Sequence, residues 1–149
     1  MTDQFASLDL GDPLDSNKIK TMVCLVVTAA VVKGQIVDLT HVATAVPKVS
    51  TASASSLIAK GVVMAALNEP DETPYAVGTK VLIGYGGIFK VKAGSNGATA
   101  GKLLAVDTSY VAGGAGVGGC VTDTTTASQV IGKAIQTGAQ NEGILADIY

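Results

Sequence analysis

The residues of this chain that could carry out chemistry are few, and they do not form a recognisable set. The single histidine, His41, stands between Thr40 and Val42 in a stretch typical of a strand, and no Gly-x-Ser-x-Gly nucleophile motif accompanies it. One histidine without a Cys-x-x-Cys pair also falls short of the ligand set of a zinc site. We therefore expect a protein that is not an enzyme and has no catalytic, metal or cofactor-binding residues.

Two glycine-rich stretches match nucleotide-binding motifs only in their letters. Residues 114–119 fit G-x-G-x-x-G, but that fingerprint needs a helix directly after it, and residues 120–126 are rich in threonine instead. Residues 97–103 resemble a phosphate-binding loop with the wrong spacing and no Ser or Thr after Lys102. The aspartates of residues 9–15 match no calcium loop, so we interpret them as solvated acids.

The composition is that of a β protein with little charge on its surface. The chain has 149 residues, 48% of them hydrophobic and only 15% charged, and a mean hydropathy of +0.43. This length is enough for one domain with a core of its own. Val, Ala, Leu and Ile carry the apolar content, and β-branched residues favour strands. One interpretation is a β core of small residues; the other, which we favour, is a subunit that hides part of its surface in an assembly.

The charge and hydropathy patterns exclude several kinds of partner. The net charge is −2, and the ten cationic residues are all lysines scattered singly, so we expect no nucleic acid partner. The apolar run at residues 22–32 is too short to cross a bilayer, and we expect no membrane association. The first twenty residues lack the basic start of a secretory signal. Cys24 and Cys120 are expected to be buried free thiols rather than a disulfide.

A short pattern occurs twice along the chain. In one copy Gly34, Gly61 and Gly78 each precede a short apolar or alternating run. In the other copy the matching glycines lie 67, 71 and 65 residues further on, at positions 101, 132 and 143. A glycine turn that leads into such a run is typical of a β-strand. The pattern predicts an all-β fold: a small β-barrel or sandwich-like body with two pseudo-repeated halves.

The segments between these glycines give further expectations about strands and turns. The sequence Tyr-Gly-Gly at 85–87 predicts a tight hairpin between a strand at 80–84 and an alternating strand at 88–93. Residues 40–48 predict a short strand that turns near Pro47, and residues 50–56 a loop or the start of a short helix. Residues 113–119 and 123–128 are expected to be loops.

The N-terminal residues differ from the rest of the chain. Residues 1–18 are polar, acidic and interrupted by glycine and proline, without the period of a long helix or strand. We predict an N-terminal arm over residues 1–18 and a β-barrel-like domain over residues 19–149. Either the arm is a loose terminus, or it orders against a partner. The candidate partner-binding side chains are its apolar residues, Phe5, Leu8, Leu10 and Leu14.

The order of the segments carries a resemblance to a known family. The segments that carry this resemblance are KGQIVDL at 33–39, AKGVVMAA at 59–66, GTKVLIG at 78–84, GGIFKVKAG at 86–94, AGKLLAVD at 100–107, VIGKAI at 130–135 and NEGILADI at 141–148. In this order they resemble the capsid cement, or head decoration, proteins of tailed viruses, over about residues 20–149. Lys102 departs from the acidic residue usual in that family, and residues 113–119 look inserted.

The resemblance implies a structural protein of a bacteriophage virion with a β-barrel-like fold. Such a protein is made in the host cytoplasm and binds the exterior of an assembled icosahedral capsid, where it clamps neighbouring subunits of the major capsid protein, often as a homotrimer. The alternatives are another virion component such as a tail tube or fibre, a small hydrolase that uses His41, and a carbohydrate-binding module. Sugar sites stack on aromatic rings, and 4% aromatic content without tryptophan disfavours the last.

Overall fold

The computed structural model describes residues 8–40, 46–53, 58–67, 74–108 and 119–149, and its regular structure is almost entirely β. Within these ranges the only helical turns are two 3-10 turns, at Ser16–Lys18 and Ala127–Gln129. The strands, in chain order, are β1 (Lys20–Val26), β2 (Ile36–Thr40), β3 (Lys48–Thr51), β4 (Lys60–Ala66), β5 (Lys80–Tyr85), β6 (Gly87–Lys92), β7 (Leu103–Asp107), β8 (Cys120–Asp123), β9 (Gly132–Ala134) and β10 (Gly143–Ile148). The predicted all-β fold is confirmed.

The first five strands form a closed barrel in the order β1-β3-β2-β4-β5. β1 pairs antiparallel with β5 from Lys20 to Leu25, and its other edge pairs parallel with β3 at Leu25 and Val26. All other neighbours in the barrel are antiparallel. A closed sheet has no edge strands, so most backbone N–H and C=O groups of the barrel strands are hydrogen bonded within the barrel.

The last five strands form a second sheet in the order β6-β10-β9-β7-β8, with antiparallel neighbours throughout. Its two end strands meet beyond the end of β6, where Ala93 and Val121 form a parallel bridge. There the N–H of Gly94 donates to the carbonyl of Val121 at 2.7 Å. The second sheet therefore closes on itself at one point, as the barrel does along β1 and β3.

The two sheets are copies of one five-stranded unit. In both, the first strand lies between the third and the fifth, and the second and fourth strands are neighbours. The registers agree too: Ile36 pairs with Val62 in the barrel, and Leu103, 67 residues later, pairs with Lys133, 71 residues later. The two pseudo-repeated halves expected from the glycine pattern are therefore present.

The predicted match between Gly78 and Gly143 is wrong, although the strand that it predicted is present. Gly78 has φ +94 and donates its N–H to the carbonyl of Val26 at 2.9 Å. The residue that does the same in the second half is Asn141, with φ 72 and a bond of 3.0 Å to Ala93. Asparagine tolerates the left-handed region better than most residues, so the turn needs no glycine there. Gly143 instead opens the strand β10 itself.

Three local expectations also differ from the structure. β5 and β6 are not a hairpin: β5 pairs with β1 and β4, whereas β6 pairs with β10, so the turn at Gly86 joins the two sheets. The third strand begins at Lys48, after Pro47, and includes residues expected to be loop. β8 lies between two expected loops and was missed, because four residues are too short for a periodic signal.

The hydrophobic core has two parts. One fills the barrel, and its largest member is Tyr75, whose N–H donates to the carbonyl of Val31 at 2.7 Å. The other consists mainly of residues of the second sheet and also includes Ile36, Ala52 and Val62 from the barrel half of the chain. A further link is the N–H of Ile36, which donates to the carbonyl of Gly119 at 3.0 Å. The two halves therefore pack through a shared core.

Candidate interaction surface

Among the described residues, the candidate side chains from the sequence do not come together into a catalytic or metal site. His41 and residues 114–118 of the glycine-rich stretch lie outside them. Within them, no group of three or more His, Cys, Asp or Glu side chains is placed to hold a metal ion. The described part of the chain also contains no helix with the length and hydropathy needed to span a lipid bilayer.

The two cysteines are free and buried, as expected from the sequence. Burial raises the pKa of the Cys24 thiol to about 11. Burial also raises the pKa of Cys120, against the opposing effect of the nearby Lys92 ammonium, and the Asp107 carboxylate adds to the rise. A thiol acts as a nucleophile only as the thiolate, so both groups are held in their unreactive form at neutral pH.

A buried ion pair distinguishes the barrel from the second sheet. Lys60 on β4 donates to the carboxylate of Asp38 on β2, and only 2% and 7% of these side chains are exposed. The N–H of Ser53 donates to the second carboxylate oxygen at 3.0 Å, and the ammonium also reaches Ser53 Oγ at 3.3 Å. In the second half the equivalent positions are Ala105 and Ile131, both buried. The fold therefore does not require the ion pair, and the satisfied lone pairs identify it as a structural contact.

The described part of the N-terminal arm lies along β6. Gly11 donates to the carbonyl of Lys90 at 2.8 Å, the N–H of Lys90 donates back to Asp12 at 3.0 Å, and Leu14 donates to Ile88 at 2.9 Å. Pro13 and Phe89 form an antiparallel bridge. Residues 11–14 thus extend the second sheet beyond β6, on the side opposite β10.

Side-chain contacts reinforce this pairing. Lys33 on the barrel forms an ion pair with Asp12 at 3.3 Å, and Lys90 Nζ donates to the carbonyl of Leu8 at 2.9 Å. Gly11 passes so close to the barrel that a Cβ there would lie 2.5 Å from the carbonyl oxygen of Val63. Residues 8–15 therefore contact the body of their own chain, which neither of the two alternatives from the sequence, a loose terminus or an arm ordered against a partner, had included.

The four candidate partner-binding residues have different surroundings. Phe5 lies outside the described residues. Leu8 and Leu10 are half-buried, and Leu10 lies against Gly34 so closely that an added Cβ there would be 2.6 Å from the leucine Cβ. Leu14 faces solvent, with 36% of its surface exposed. Of the three described residues, Leu14 is the one whose side chain is available to a partner; the partner-binding role of all four stays a prediction.

The first residues of β1 form a second surface, which the sequence did not indicate. Thr21 and Val23 pair with β5 on one side, but β3 reaches β1 only from Leu25 onward. No described residue hydrogen bonds to the other side of β1 at residues 21–23. We call this stretch of backbone the β1 edge. Val23 is 38% exposed beside it. Which strands become neighbours is decided by the tertiary structure, so the sequence of β1 alone carries no signal for this surface.

Comparison with known proteins gives a fold likeness. No protein-family model matches the chain, and no curated protein matches it. Among solved structures, the chain is similar to the head fiber gp8.5 N base of bacteriophage phi29, with a TM-score of 0.54 and 13% sequence identity. The match covers 88% of this chain and 94% of that one. At this identity the likeness shows a shared fold, and it spans both halves of the chain.

Proposed function

We propose that this chain is a structural protein of a bacteriophage particle that binds the outer surface of the assembled head. The observation that carries the proposal is the fold shared with the N base of a phage head fiber over 88% of the chain. The resemblance of residues 20–149 to head decoration proteins, made on the order of the segments alone, supports the same placement. The partner in this proposal is the major capsid protein.

In the finer form of the proposal the protein acts as a cement. It clamps neighbouring capsid subunits, as a homotrimer, and stabilises the shell because it binds the assembled state and not the separate subunits. Many copies bound across a lattice add avidity to contacts that are weak singly. Leu14, exposed on the N-terminal segment, is the described candidate for an apolar contact with the shell.

A second candidate function is the base of a longer projection, and it is favoured by the name of the structural neighbour, a fiber base. A base has to hold the shell but need not strengthen it. The two functions therefore differ in one measurable property, which is the resistance of the decorated shell to heat.

The experiment combines binding with shell stability. Heads that lack this protein are mixed with it and pelleted, and the temperature at which they release DNA is then measured. We expect the protein to co-sediment with heads and not with unassembled capsid subunits. A raised release temperature supports the cement function, and an unchanged one supports the base. Failure to co-sediment would overturn both. Leu14→Ala is the interface variant and Thr125→Ala, an exposed position far along the chain, is its matched control.

A further inference from the structure

The outer face of the second sheet carries a row of four residues with opposite charges at its centre. Cross-strand registers place Ile88 on β6, Asp147 on β10, Lys133 on β9 and Leu103 on β7 directly opposite one another. Each has a core residue next to it along its strand, so the row points away from the core. Lys133 and Leu103 are exposed, and Ile88 and Asp147 are half-buried. We call these four residues the outer row.

Exposed apolar side chains extend this face on both sides of the outer row. Ile135, two residues after Lys133, is 46% exposed, and Tyr149, two residues after Asp147, is 66% exposed. Residues two apart on a strand share a face. Because β9 and β10 are antiparallel, Ile135 and Tyr149 lie on opposite sides of the row. The outer row is therefore the centre of an apolar face that holds one acid and one base.

The equivalent face of the first half already packs against another part of the molecule. There the same registers hold Gly84, Val62 and Ile36 on the equivalent strands. All three are buried, and Ile36 and Val62 belong to the core that the two halves share. A Cβ on Gly84 would lie 2.6 Å from the ring of Phe89 in the second half. The face that joins the halves in one unit is thus turned to solvent in the other.

We propose that the outer row binds the same row of a second copy of this chain, in a two-fold symmetric dimer. A two-fold interface places one surface against itself, so that surface must be complementary to itself. With the axis along the strands, between β9 and β10, the row of the second copy runs in the reverse direction. Asp147 of each copy then faces Lys133 of the other, and Ile88 of each faces Leu103 of the other.

The order of the charges selects this axis. An axis along the row would instead place Asp147 against its own copy and Lys133 against its own copy, and like charges that face each other are unfavourable. The reversed row pairs each carboxylate with an ammonium and each apolar end with an apolar end. It also keeps the strands of the two sheets aligned, which is a common geometry of sheets that pack face to face.

The size of the face predicts a weak dimer. Strands about 4.8 Å apart and a rise of about 3.4 Å per residue give a face of about 20 Å by 20 Å once its side chains are included. This is roughly 400 Å² per copy, half of the roughly 800 Å² per partner of a stable complex. A two-fold contact cannot close a trimer, so it is separate from the contacts of the proposed homotrimer. Copies attached to one head, which is the proposed function, would be concentrated enough for this contact to join them.

The test exchanges the charges of the outer row. Asp147→Lys and Lys133→Asp each place like charges opposite each other across the axis, so each should associate about tenfold or more weakly than wild type in sedimentation velocity. A mixture of the two should form a one-to-one dimer, because every contact then joins opposite charges. The double variant with both changes should associate like wild type. Lys80→Asp changes an exposed lysine of the barrel by the same charge, and this matched control should also associate like wild type.

Three outcomes would overturn the proposal: a wild type that stays monomeric up to about 1 mM, single variants that associate like wild type, or no dimer in the mixture. Urea unfolding of each variant separates a lost contact from a lost fold. If Asp147→Lys does not fold, Asp147→Asn replaces it, because it removes both charge contacts without adding repulsion. The dimer forms in solution and needs no shell. Its failure therefore leaves the proposed attachment to heads untouched, and a failure to co-sediment with heads leaves the dimer untouched.

Discussion

Gly34 and Gly101 occupy the same position in the two halves of the fold. Each has a left-handed backbone, with φ +86 and +84, and each donates its N–H at 2.8 Å to a carbonyl, that of Val63 or Ala134. The space above them differs. A Cβ on Gly34 would lie 2.6 Å from the Cβ of Leu10, whereas a Cβ on Gly101 would meet nothing within 4 Å.

This difference predicts unequal effects of the same substitution. Gly101→Ala should lower the free energy of unfolding by about 1–2 kcal/mol, the cost of a left-handed backbone with a Cβ. Gly34→Ala should cost more, because it also pushes Leu10 and the N-terminal segment away from the barrel. Urea unfolding gives the two free energies, and hydrogen exchange at Gly11 and Leu14 reports the segment. Equal losses, with unchanged exchange in Gly34→Ala, would contradict the described packing.

The buried ion pair of Asp38 and Lys60 gives a second prediction, and the equivalent residues in the second half of the chain indicate which substitutions to make. Asp38→Ala alone should cost about 3–5 kcal/mol, because it leaves the Lys60 ammonium buried without a counter-charge. The double variant Asp38→Ala with Lys60→Ile copies the residues at the equivalent positions 105 and 131. It should recover most of that loss. Chemical denaturation of the two single variants and the double variant tests this, and a double variant whose loss equals the sum of the single losses would refute it.

The N-terminal segment gives a third prediction, from two truncations. Deletion of residues 2–7 should leave the melting temperature unchanged, because residues 8–15 keep their contacts with β6. Deletion of residues 2–14 should lower the free energy of unfolding by about 2–4 kcal/mol, since three backbone hydrogen bonds to β6 are lost at about 0.5–1.5 kcal/mol each. Calorimetry of both proteins checks this. A longer truncation as stable as wild type would show that the segment contributes nothing to the body.

The Cys24 thiol gives a prediction about pH. Its side chain is fully buried, and burial raises its pKa from 9.0 to about 11, so the unfolded chain loses the proton first as the pH rises. The stabilisation is complete below pH 9 and is lost as the pH rises from 9 to 11. Its size is about 2–3 kcal/mol. Other groups titrate in the same window, so the measurement is the difference between wild type and Cys24→Ala in urea unfolding at several pH values. A constant difference would contradict the prediction.

The sequence was sufficient to predict most of the strands and their duplication, but not β8 or the position of β3. Glycines at turns and runs of β-branched residues are local signals, because a turn needs a left-handed residue and a strand needs alternating burial over a few neighbours. Gly34 and Gly101 lie at such turns, and Gly61 and Gly132 lie at the start of the strands β4 and β9. These four positions made the two halves visible without a structure. The third match from the sequence was wrong because the residue equivalent to Gly78 is Asn141, which adopts the same left-handed backbone conformation without being a glycine.

The tertiary structure alone decided which strands are neighbours. Gly86 permits a hairpin and a passage between sheets equally well, and only the pairing of β6 with β10 selected the second. The same holds for the N-terminal segment, whose polar sequence gave no sign that Gly11 fits between β6 and the Gly34 turn. Hydrogen bonds between strands join residues far apart in the chain and are independent of side-chain identity, so local sequence predicts the strands but not their partners.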